Sequence, residues 1–313
     1  MTISDTQHPV YVMIDKIWNH IQRSLLEGNF DYEAAVLMLT QHLEVARDLQ
    51  HPLLEGRIFS WLALVELELD HFDAAQAYYQ QALPIFEAIG DKARVAAMIN
   101  NIGETYRRTN RHQEAAECYG RTQAVGQALG DLRMEILATA NEGLSRLAIN
   151  ELERAEVLFK QAIGLAWNSS NDDYIRSAVG EAHEGLAQIF LVRGFYEGAW
   201  EEITEALQIH RERMHVHHMS ATYLTMARLA TADPSAGKDP VGFFQLSREF
   251  AGKAQSPARM TRVLTIEGHY WYAQKSQEKA LACYQEAIQL IEQHHLPDDI
   301  ELLRQRIQEL SNE

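Results

Sequence analysis

A pattern of small and apolar residues recurs along the chain and predicts a series of helices. An Ala is followed by an apolar or aromatic residue four positions later, and often by another Ala three positions after that. Because residues at i, i+4 and i+7 share one face of an α-helix, each copy predicts an amphipathic helix, here named helix B. The copies begin at Ala35, Ala75, Ala115, Ala155, Ala199 and Ala280, so the spacings are 40, 40, 40, 44 and 81 residues. The last spacing is twice the period and predicts one further copy that has lost the pattern.

A second pattern precedes helix B and predicts a partner, helix A. Twelve residues before the leading Ala stands a Gly or Ala, here named the marker, and an aromatic or apolar residue often follows it by three, as at Tyr106, Phe190 and Trp271. Gly inside a helix costs about 1 kcal/mol relative to Ala, so its recurrence predicts close approach of a neighbouring helix. The markers are Ala63, Gly103, Gly143, Ala187 and Gly268.

Turn residues separate the predicted helices. Gly90 and Gly130 are suited to ending a helix, and Asp91 and Asp131 after them are suited to capping the next one. Six of the seven prolines fall at borders, whereas Pro84 lies inside a predicted helix B and is expected to kink it. The predicted repeats are 10–51, 53–90, 91–130, 131–169, 172–211, 212–255 and 257–296, with a final helix at 298–312.

The marker with its following aromatic, together with the Ala-x3-aromatic-x2-Ala of helix B, resembles the tetratricopeptide repeat. The resemblance implies an all-α, right-handed solenoid of about seven helix-turn-helix repeats with a C-terminal capping helix, forming a single domain over 1–313. The period is about 40 residues rather than about 34. Such longer repeats resemble those of bacterial regulatory proteins that bind peptides and those of kinesin light chains.

The sixth repeat departs from the pattern. Prolines, Gly237 and small polar residues occupy 231–240, where a tight turn is expected, and the helix near 241–254 lacks the Ala and aromatic positions. Decay of the repeat, a hinge and a partner site are the alternatives. The amphipathic segment after Pro297 is predicted to cover the apolar end of the last repeat.

Charge narrows the choice of partners. Asp and Glu number 44 against 28 Lys and Arg, giving a net charge of −16 without a basic cluster. Such a chain repels nucleic acid and anionic membranes, so neither is expected as a direct partner. The two cysteines exclude a disulfide framework and favour a reducing, cytoplasmic setting. A signal peptide and membrane-spanning segments are not expected.

Catalytic chemistry is not expected from the motifs. Phosphate-binding loops and nucleophile elbows are absent, and the HExxH pattern that begins at His183 fails because Ala187 replaces the second histidine. Four histidines, His210, His215, His217 and His218, lie within nine residues, and with Glu212 they suggest a metal-dependent hydrolase as an alternative. A solvated helix junction is the simpler interpretation. The sequence therefore predicts no enzyme, no cofactor and no metal.

A repeated polar position indicates a binding surface on helix A. Asn101 and Asn141 both stand two residues before a marker, one period apart. The resemblance implies that Asn at this position holds the backbone of an extended peptide. An amide side chain both donates and accepts hydrogen bonds, which suits a peptide group. An ordinary surface Asn is the alternative.

Neighbouring helix A residues complete the predicted binding face. Arg107 and Arg108 are candidates either for contact with an acidic peptide or for salt bridges to nearby Glu. The full set, expected to line a concave groove, is Asn100, Asn101, Asn141, Arg57, Trp61, Glu104, Arg107, Arg108, Leu144, Glu184 and Gln188.

These features predict a non-catalytic adaptor or regulatory module whose partner is a protein or peptide. The alternatives are a self-associating scaffold, in which apolar residues of a terminal or irregular repeat form a homodimer, and the metal-dependent enzyme around His210–His218. A regulator of DNA would need to act through a DNA-binding partner.

Overall fold

Helices account for nearly all of the regular structure. The computed structural model describes residues 31–69, 71–167, 172–212, 216–294, 296 and 300–312, together with Lys16 and Asn19. Within these residues there is no β-strand, and the prediction of an all-α fold is confirmed. The first helix of the repeat predicted at 10–51 lies outside this described range, as do His215 and the side chain of His217.

The described helices follow the predicted alternation of helix A and helix B. They are α1 (Tyr32–Asp48), α2 (Pro52–Glu68), α3 (Phe72–Ala88), α4 (Lys92–Arg108), α5 (His112–Leu129), α6 (Leu132–Ala148), α7 (Leu152–Ala166), α8 (Asp173–Val192), α9 (Tyr196–Glu212), α10 (Val216–Ala232), α11 (Pro240–Lys253), α12 (Pro257–Ala273), α13 (Gln277–His294) and α14 (Ile300–Asn312).

Contacts between residues divide the chain into two compact units, Met1–Glu135 and Ile136–Glu313. In each unit a helix A packs against its own helix B, and helix B packs against the following helix A. In the second unit the A helices α8, α10 and α12 also contact one another in sequence, and α14 packs on α13. The division into the seven numbered repeats of one domain stays a prediction.

The predicted turn chemistry is present where one repeat joins the next. Gly130 has a φ of 67°, in the left-handed region that Gly adopts without strain, and it ends α5. The Asp131 carboxylate then accepts a hydrogen bond from the backbone N–H of Met134 at 2.9 Å. Gly90 and Asp91 repeat this arrangement, with Asp91 accepting from the N–H of Arg94 at 3.0 Å. These residues end one helix and start the next, as predicted.

Aromatic residues of helix B fill the space beside the markers. A Cβ added to Gly143 would lie 2.7 Å from the ring of Phe159, and one added to Gly268 would lie 2.5 Å from the ring of Tyr284. The Phe159 ring also packs directly against Gly185 of the following helix A. Phe159 and Tyr284 are fully buried. The recurrence of Gly is therefore explained by the lack of room for a side chain.

The sixth repeat is an intact helix pair held by different contacts. Ser220 of α10 donates a hydrogen bond to the backbone carbonyl of Ser247 in α11 at 3.0 Å, and Ser247 donates to the carbonyl of Ser220 at 2.7 Å. This reciprocal pair needs small residues on both helices. Phe244 fills the adjacent core. The connecting segment contains one turn of 3₁₀ helix, Pro234–Ala236.

No helix within the described part of the chain is both long enough and apolar enough to cross a membrane.

Substitution of Gly143 by Ala tests the packing of the Phe159 ring. We expect the Gly143→Ala variant to lose about 1–3 kcal/mol of unfolding free energy, because the ring is held between Gly143 and Gly185 and cannot move away. The measurement is the shift in the urea unfolding midpoint.

Gly164 provides the matched control, since a Cβ there would meet nothing within 4 Å. We expect Gly164→Ala to be neutral or to stabilise by up to about 1 kcal/mol through helix propensity. Equal destabilisation by both substitutions would contradict the packing explanation.

Candidate functional site

One face of each helix A stays partly open to solvent while the marker on the opposite side is buried. The structure adds a sixth marker, the fully buried Ala227 of α10. The A-helix face is defined here as the residues six before, two before and one after each marker. The position two before is half-buried at Asn101, Asn141 and Ile266 and buried at Trp61, Gly185 and Thr225. The residues six before the marker are half-buried or exposed in every repeat: Arg57, Ala97, Leu137, Glu181, Ala221 and Arg262. The residues one after the marker are also half-buried or exposed: Leu64, Glu104, Leu144, Gln188, Arg228 and His269.

In the first unit, Asn100 and Asn101 lie on α4 and are both half-buried. The backbone carbonyl of Asn101 accepts a hydrogen bond from Thr105 Oγ1 at 3.1 Å. Its side-chain amide, in contrast, makes no hydrogen bond to any residue that the structure describes. The amide is therefore available to a ligand.

In the second unit, Asn141 and Leu144 lie on α6 and are likewise half-buried. The Asn141 amide also makes no hydrogen bond within the described residues. Glu142, next to it, is buried and accepts hydrogen bonds from Arg146 at 3.2 Å and Arg154 at 2.8 Å. The polar group that faces the core is thus satisfied internally, whereas Asn141 is not.

Arg57 and Trp61 form a pair on α2. The Arg57 guanidinium lies 4.8 Å from the centre of the Trp61 ring, within the range of a cation–π interaction. Trp61 is only 7% exposed and belongs to the core of the first unit. The indole therefore contributes mainly to packing, and Arg57 is the more accessible member of the pair.

Arg107 forms a bidentate ion pair with Glu104. Arg107 Nε donates to Glu104 Oε2 at 2.8 Å, and Arg107 Nη2 donates to Oε1 at 2.6 Å. The hydroxyl of Tyr119 donates to the same carboxylate at 3.0 Å. Burial acts to raise the pKa of Glu104, but Arg107 and these hydrogen bonds outweigh it and leave the pKa lowered. Arg107 therefore forms a salt bridge to a nearby Glu, which was the alternative to direct contact with an acidic peptide.

Arg108 contacts the end of the preceding helix A. Its Nη1 donates to the backbone carbonyl of Leu67 at 2.7 Å, and its guanidinium lies 5.6 Å from the centre of the Phe72 ring. Leu67 belongs to the last turn of α2, where carbonyl groups lack helical partners. Arg108 thus helps to end the preceding helix A.

Glu184 is the most enclosed of the predicted charged site residues. Its carboxylate accepts hydrogen bonds from Thr222 at 3.2 Å and Thr225 at 3.4 Å on α10, and from the Gln188 amide at 3.2 Å. The residue is 8% exposed. Burial raises the pKa of Glu184 to about 7, although Arg262, Thr222 and Arg259 oppose the shift. This carboxyl group therefore titrates near neutral pH.

Arg228 is a candidate that the sequence analysis missed. It lies one residue after the marker Ala227, the position that Gln188 and Leu144 occupy in earlier repeats. Extending the 40-residue period from Ala187 to Ala227 would have identified it. The missing aromatic pattern in the sixth repeat concealed that register.

His210 and His218 form a packed helix junction, so the prediction of a solvated junction is wrong at His210. His210 is completely buried, and its ring stacks on that of His218 with 4.9 Å between centres. A Cβ on Gly180 would lie 2.5 Å from the His210 ring, so the ring fills a gap in helix packing. Among the described residues there is no group of three or more His, Cys, Asp or Glu that could hold a metal ion.

The fold and this repeat pattern match known proteins. The tetratricopeptide repeat model matches residues 54–128. This match confirms the resemblance to the tetratricopeptide repeat that was drawn from the sequence. No curated protein matches the chain in sequence.

Several solved structures share the fold at low sequence identity. The apo form of RapI has a TM-score of 0.69 and 10% identity, covering 88% of this chain and 98% of RapI. The Rap conjugation gene regulator of plasmid pLS20, in complex with the Phr* peptide, has a TM-score of 0.65 and 15% identity, covering 98% and 91%. BtubC (BKLC) from P. vanneervenii has a TM-score of 0.57 and 21% identity, covering 66% and 82%. At these identities the similarity concerns the fold alone.

The elevated pKa of Glu184 predicts a pH-dependent stability. Glu in an unfolded chain titrates near about 4.3, so between that pH and about 7 the folded protein holds a proton that the unfolded chain has lost. The stability from this proton is complete at low pH and is lost as the pH rises through 7. We therefore expect Glu184→Gln, which stays neutral, to gain at most about 3 kcal/mol over wild type between pH 5 and pH 8.

Urea unfolding midpoints at the two pH values provide the measurement, and the exposed Glu205→Gln is the charge-matched control. If the unfolding midpoints of Glu184→Gln and wild type differ by the same amount at both pH values, the raised pKa of Glu184 is contradicted.

Proposed function

We propose that this protein is a non-catalytic adaptor or regulatory module that binds a peptide segment of a partner protein on its A-helix faces. One observation carries the proposal: Asn101 and Asn141, at the same position in consecutive repeats, keep half-buried amides without hydrogen-bond partners in the described residues. Neither amide is committed to a hydrogen bond with a described residue, so both can donate to and accept from an external partner.

The amide chemistry suits a peptide backbone. Each Asn side chain can donate to a peptide carbonyl and accept from a peptide N–H at the same time. Such contacts are independent of the ligand's side chains. Selectivity must therefore come from residues around them on the A-helix face, such as Glu104 in the first unit and Leu144 and Gln188 in the second.

The structural comparisons support peptide binding by example. A Rap protein was solved with Competence and Sporulation Factor, and the pLS20 regulator with the Phr* peptide. The shared fold can therefore accommodate peptides. The acidic charge and the reduced cysteines favour, for this chain, a cytoplasmic protein partner over nucleic acid or membrane.

Self-association is a second candidate, and a set of exposed apolar side chains favours it. In the second unit Val157, Val192 and Phe195 are each more than half exposed. We expect a mass that increases with protein concentration in light scattering if this surface joins two copies. A constant monomer mass would exclude the homodimer.

Capture of a partner from native lysate tests the principal proposal. We expect Asn101→Ala and Asn141→Ala each to weaken partner retention about tenfold, since each removes hydrogen bonds of about 1–3 kcal/mol in a partly enclosed site. Retention is quantified by mass spectrometry, and circular dichroism verifies the helix content.

The matched controls, Gln80→Ala on α3 and Gln208→Ala on α9, each remove an exposed amide from a B helix. They should leave capture unchanged. A partner retained equally by all four variants would place recognition away from the A-helix faces and overturn the proposal.

A further inference from the structure

Four aromatic rings meet where α9, α10 and α11 pack together in the second unit. Tyr223 of α10 is buried and stacks on Phe243 and Phe250 of α11, with ring centres 6.5 and 5.6 Å apart. Trp200 of α9 lies 6.2 Å from Phe243 between ring centres. The side chains that stay half-buried above Tyr223, here named the aromatic surface, are Trp200, Phe243, Leu246 and Phe250.

The irregular segment of the sixth repeat places a cation on the aromatic surface. Lys238 Nζ lies 4.8 Å from the centre of the Trp200 ring, within the range of a cation–π interaction. The adjacent Asp239 is committed to the start of α11, where its carboxylate accepts from the backbone N–H groups of Val241 and Gly242, each at 3.0 Å. Lys238 forms no ion pair with any residue that the structure describes. Its ammonium group therefore lies against an indole ring rather than against a carboxylate.

Two further cations lie over rings of the same cluster. The Arg211 guanidinium is 6.0 Å from the centre of the Tyr223 ring, and its Nη2 donates to the Tyr223 hydroxyl at 2.7 Å. Lys253 Nζ is 4.8 Å from the centre of the Phe250 ring. Aromatic rings carry negative charge on their faces, which attracts cations. Three cations of one acidic chain at this cluster indicate that its rings are well placed to receive basic side chains.

Open carboxylates lie beside Trp200 on α9. Glu197, Glu201 and Glu205 are exposed and, at intervals of four residues, follow one face of the helix. None of them forms a hydrogen bond or an ion pair with a residue that the structure describes. Glu197 stands three residues before Trp200, the spacing at which helical side chains are neighbours. Apolar rings and uncommitted carboxylates therefore adjoin one another in this part of the second unit.

We propose that the aromatic surface and the α9 carboxylates form a docking site for a basic segment of a partner protein. A Lys or Arg side chain can lay its apolar stem on the rings while its charged end reaches a ring face or a carboxylate. Lys238 occupies the place that such a side chain would take. A second copy of this chain is a poor occupant, because each copy carries a net charge of −16.

The docking site lies on the B helices and on the irregular sixth repeat. It is therefore separate from the A-helix faces of the proposed function and adds a second contact with a different chemistry. Among the alternatives for the sixth repeat, this inference selects a partner site.

The probe is a soluble random dodecapeptide library applied to the immobilised full-length protein, and retained peptides are identified by mass spectrometry. Parallel columns carry Trp200→Leu and the double variant Asn101→Ala, Asn141→Ala. We expect the peptides that are lost from Trp200→Leu, but retained by the double variant, to be rich in Lys and Arg. If no peptide depends on Trp200, or if the dependent peptides show no excess of Lys and Arg, the proposal is overturned. Peptides lost only from the double variant belong to the A-helix faces, so the two sites are tested separately.

Affinities of the most enriched Trp200-dependent peptide are then measured by fluorescence anisotropy. We expect Glu197→Gln and Glu201→Gln each to weaken binding about threefold, because each removes an attractive charge from the edge of the site. Glu87→Gln on α3 and Glu278→Gln on α13, which are also exposed, are the charge-matched controls. The controls should change affinity by less than about 1.5-fold, since charges far from the ligand are screened. Equal weakening by all four substitutions would reduce the effect to net charge and contradict the docking site.

Removal of Lys238 should have the opposite effect. We expect Lys238→Gln to strengthen binding of the same peptide about threefold, because a ligand cation no longer displaces a resident ammonium group from the Trp200 ring. Lys92→Gln, at an exposed position of α4, removes the same charge and should have a smaller effect. Urea unfolding midpoints verify that each variant is folded. Binding that is unchanged or weaker in Lys238→Gln would show that the partner's cation does not take the place of Lys238, and the proposal would fail.

Discussion

Packing of an aromatic ring against small residues of helix A is the contact on which the repeat depends. Phe159 lies against Gly143 of its own helix A and Gly185 of the next, so one side chain joins three helices. Any Cβ at Gly143 would meet the ring, which explains why a helix-destabilising residue is kept there. Because the buried side of helix A is fixed by this packing, the positions six before and one after the marker are not needed for the core. These positions belong to the A-helix face, where polar residues vary from repeat to repeat.

Many arginines of this acidic protein are held by internal contacts. Arg107 is held by Glu104, and Arg146 is held by Glu142 and Glu151. Arg108 caps the carbonyl of Leu67 and stabilises the end of a helix. These contacts give those arginines a structural role.

The fold was largely predictable from the sequence, since the helix patterns and turn residues are local signals. The contacts of the candidate site residues were less predictable. Trp61 shares its repeat position with Asn101 but packs into the core, because an indole is too large and apolar to be left in solvent there. The pairing of Arg107 with Glu104 follows from their spacing of three. Enclosure of Glu184 depends on Thr222 and Thr225, about 40 residues away, and no local pattern indicates it.

The position one residue after the marker shows how one scaffold can distinguish ligands. In the second unit it holds Leu144, Gln188, Arg228 and His269 in successive repeats, all on A helices with the same buried packing. The core therefore tolerates apolar, amide, cationic and imidazole groups there without rearrangement. The raised pKa of Glu184 and the lowered pKa of Arg228 are both unfavourable for the isolated fold. An apolar residue at the Arg228 position would remove the cost of burying its charge, as Leu144 does at the equivalent position two repeats earlier, whereas the Glu184 carboxylate is held by its hydrogen bonds with Thr222 and Thr225.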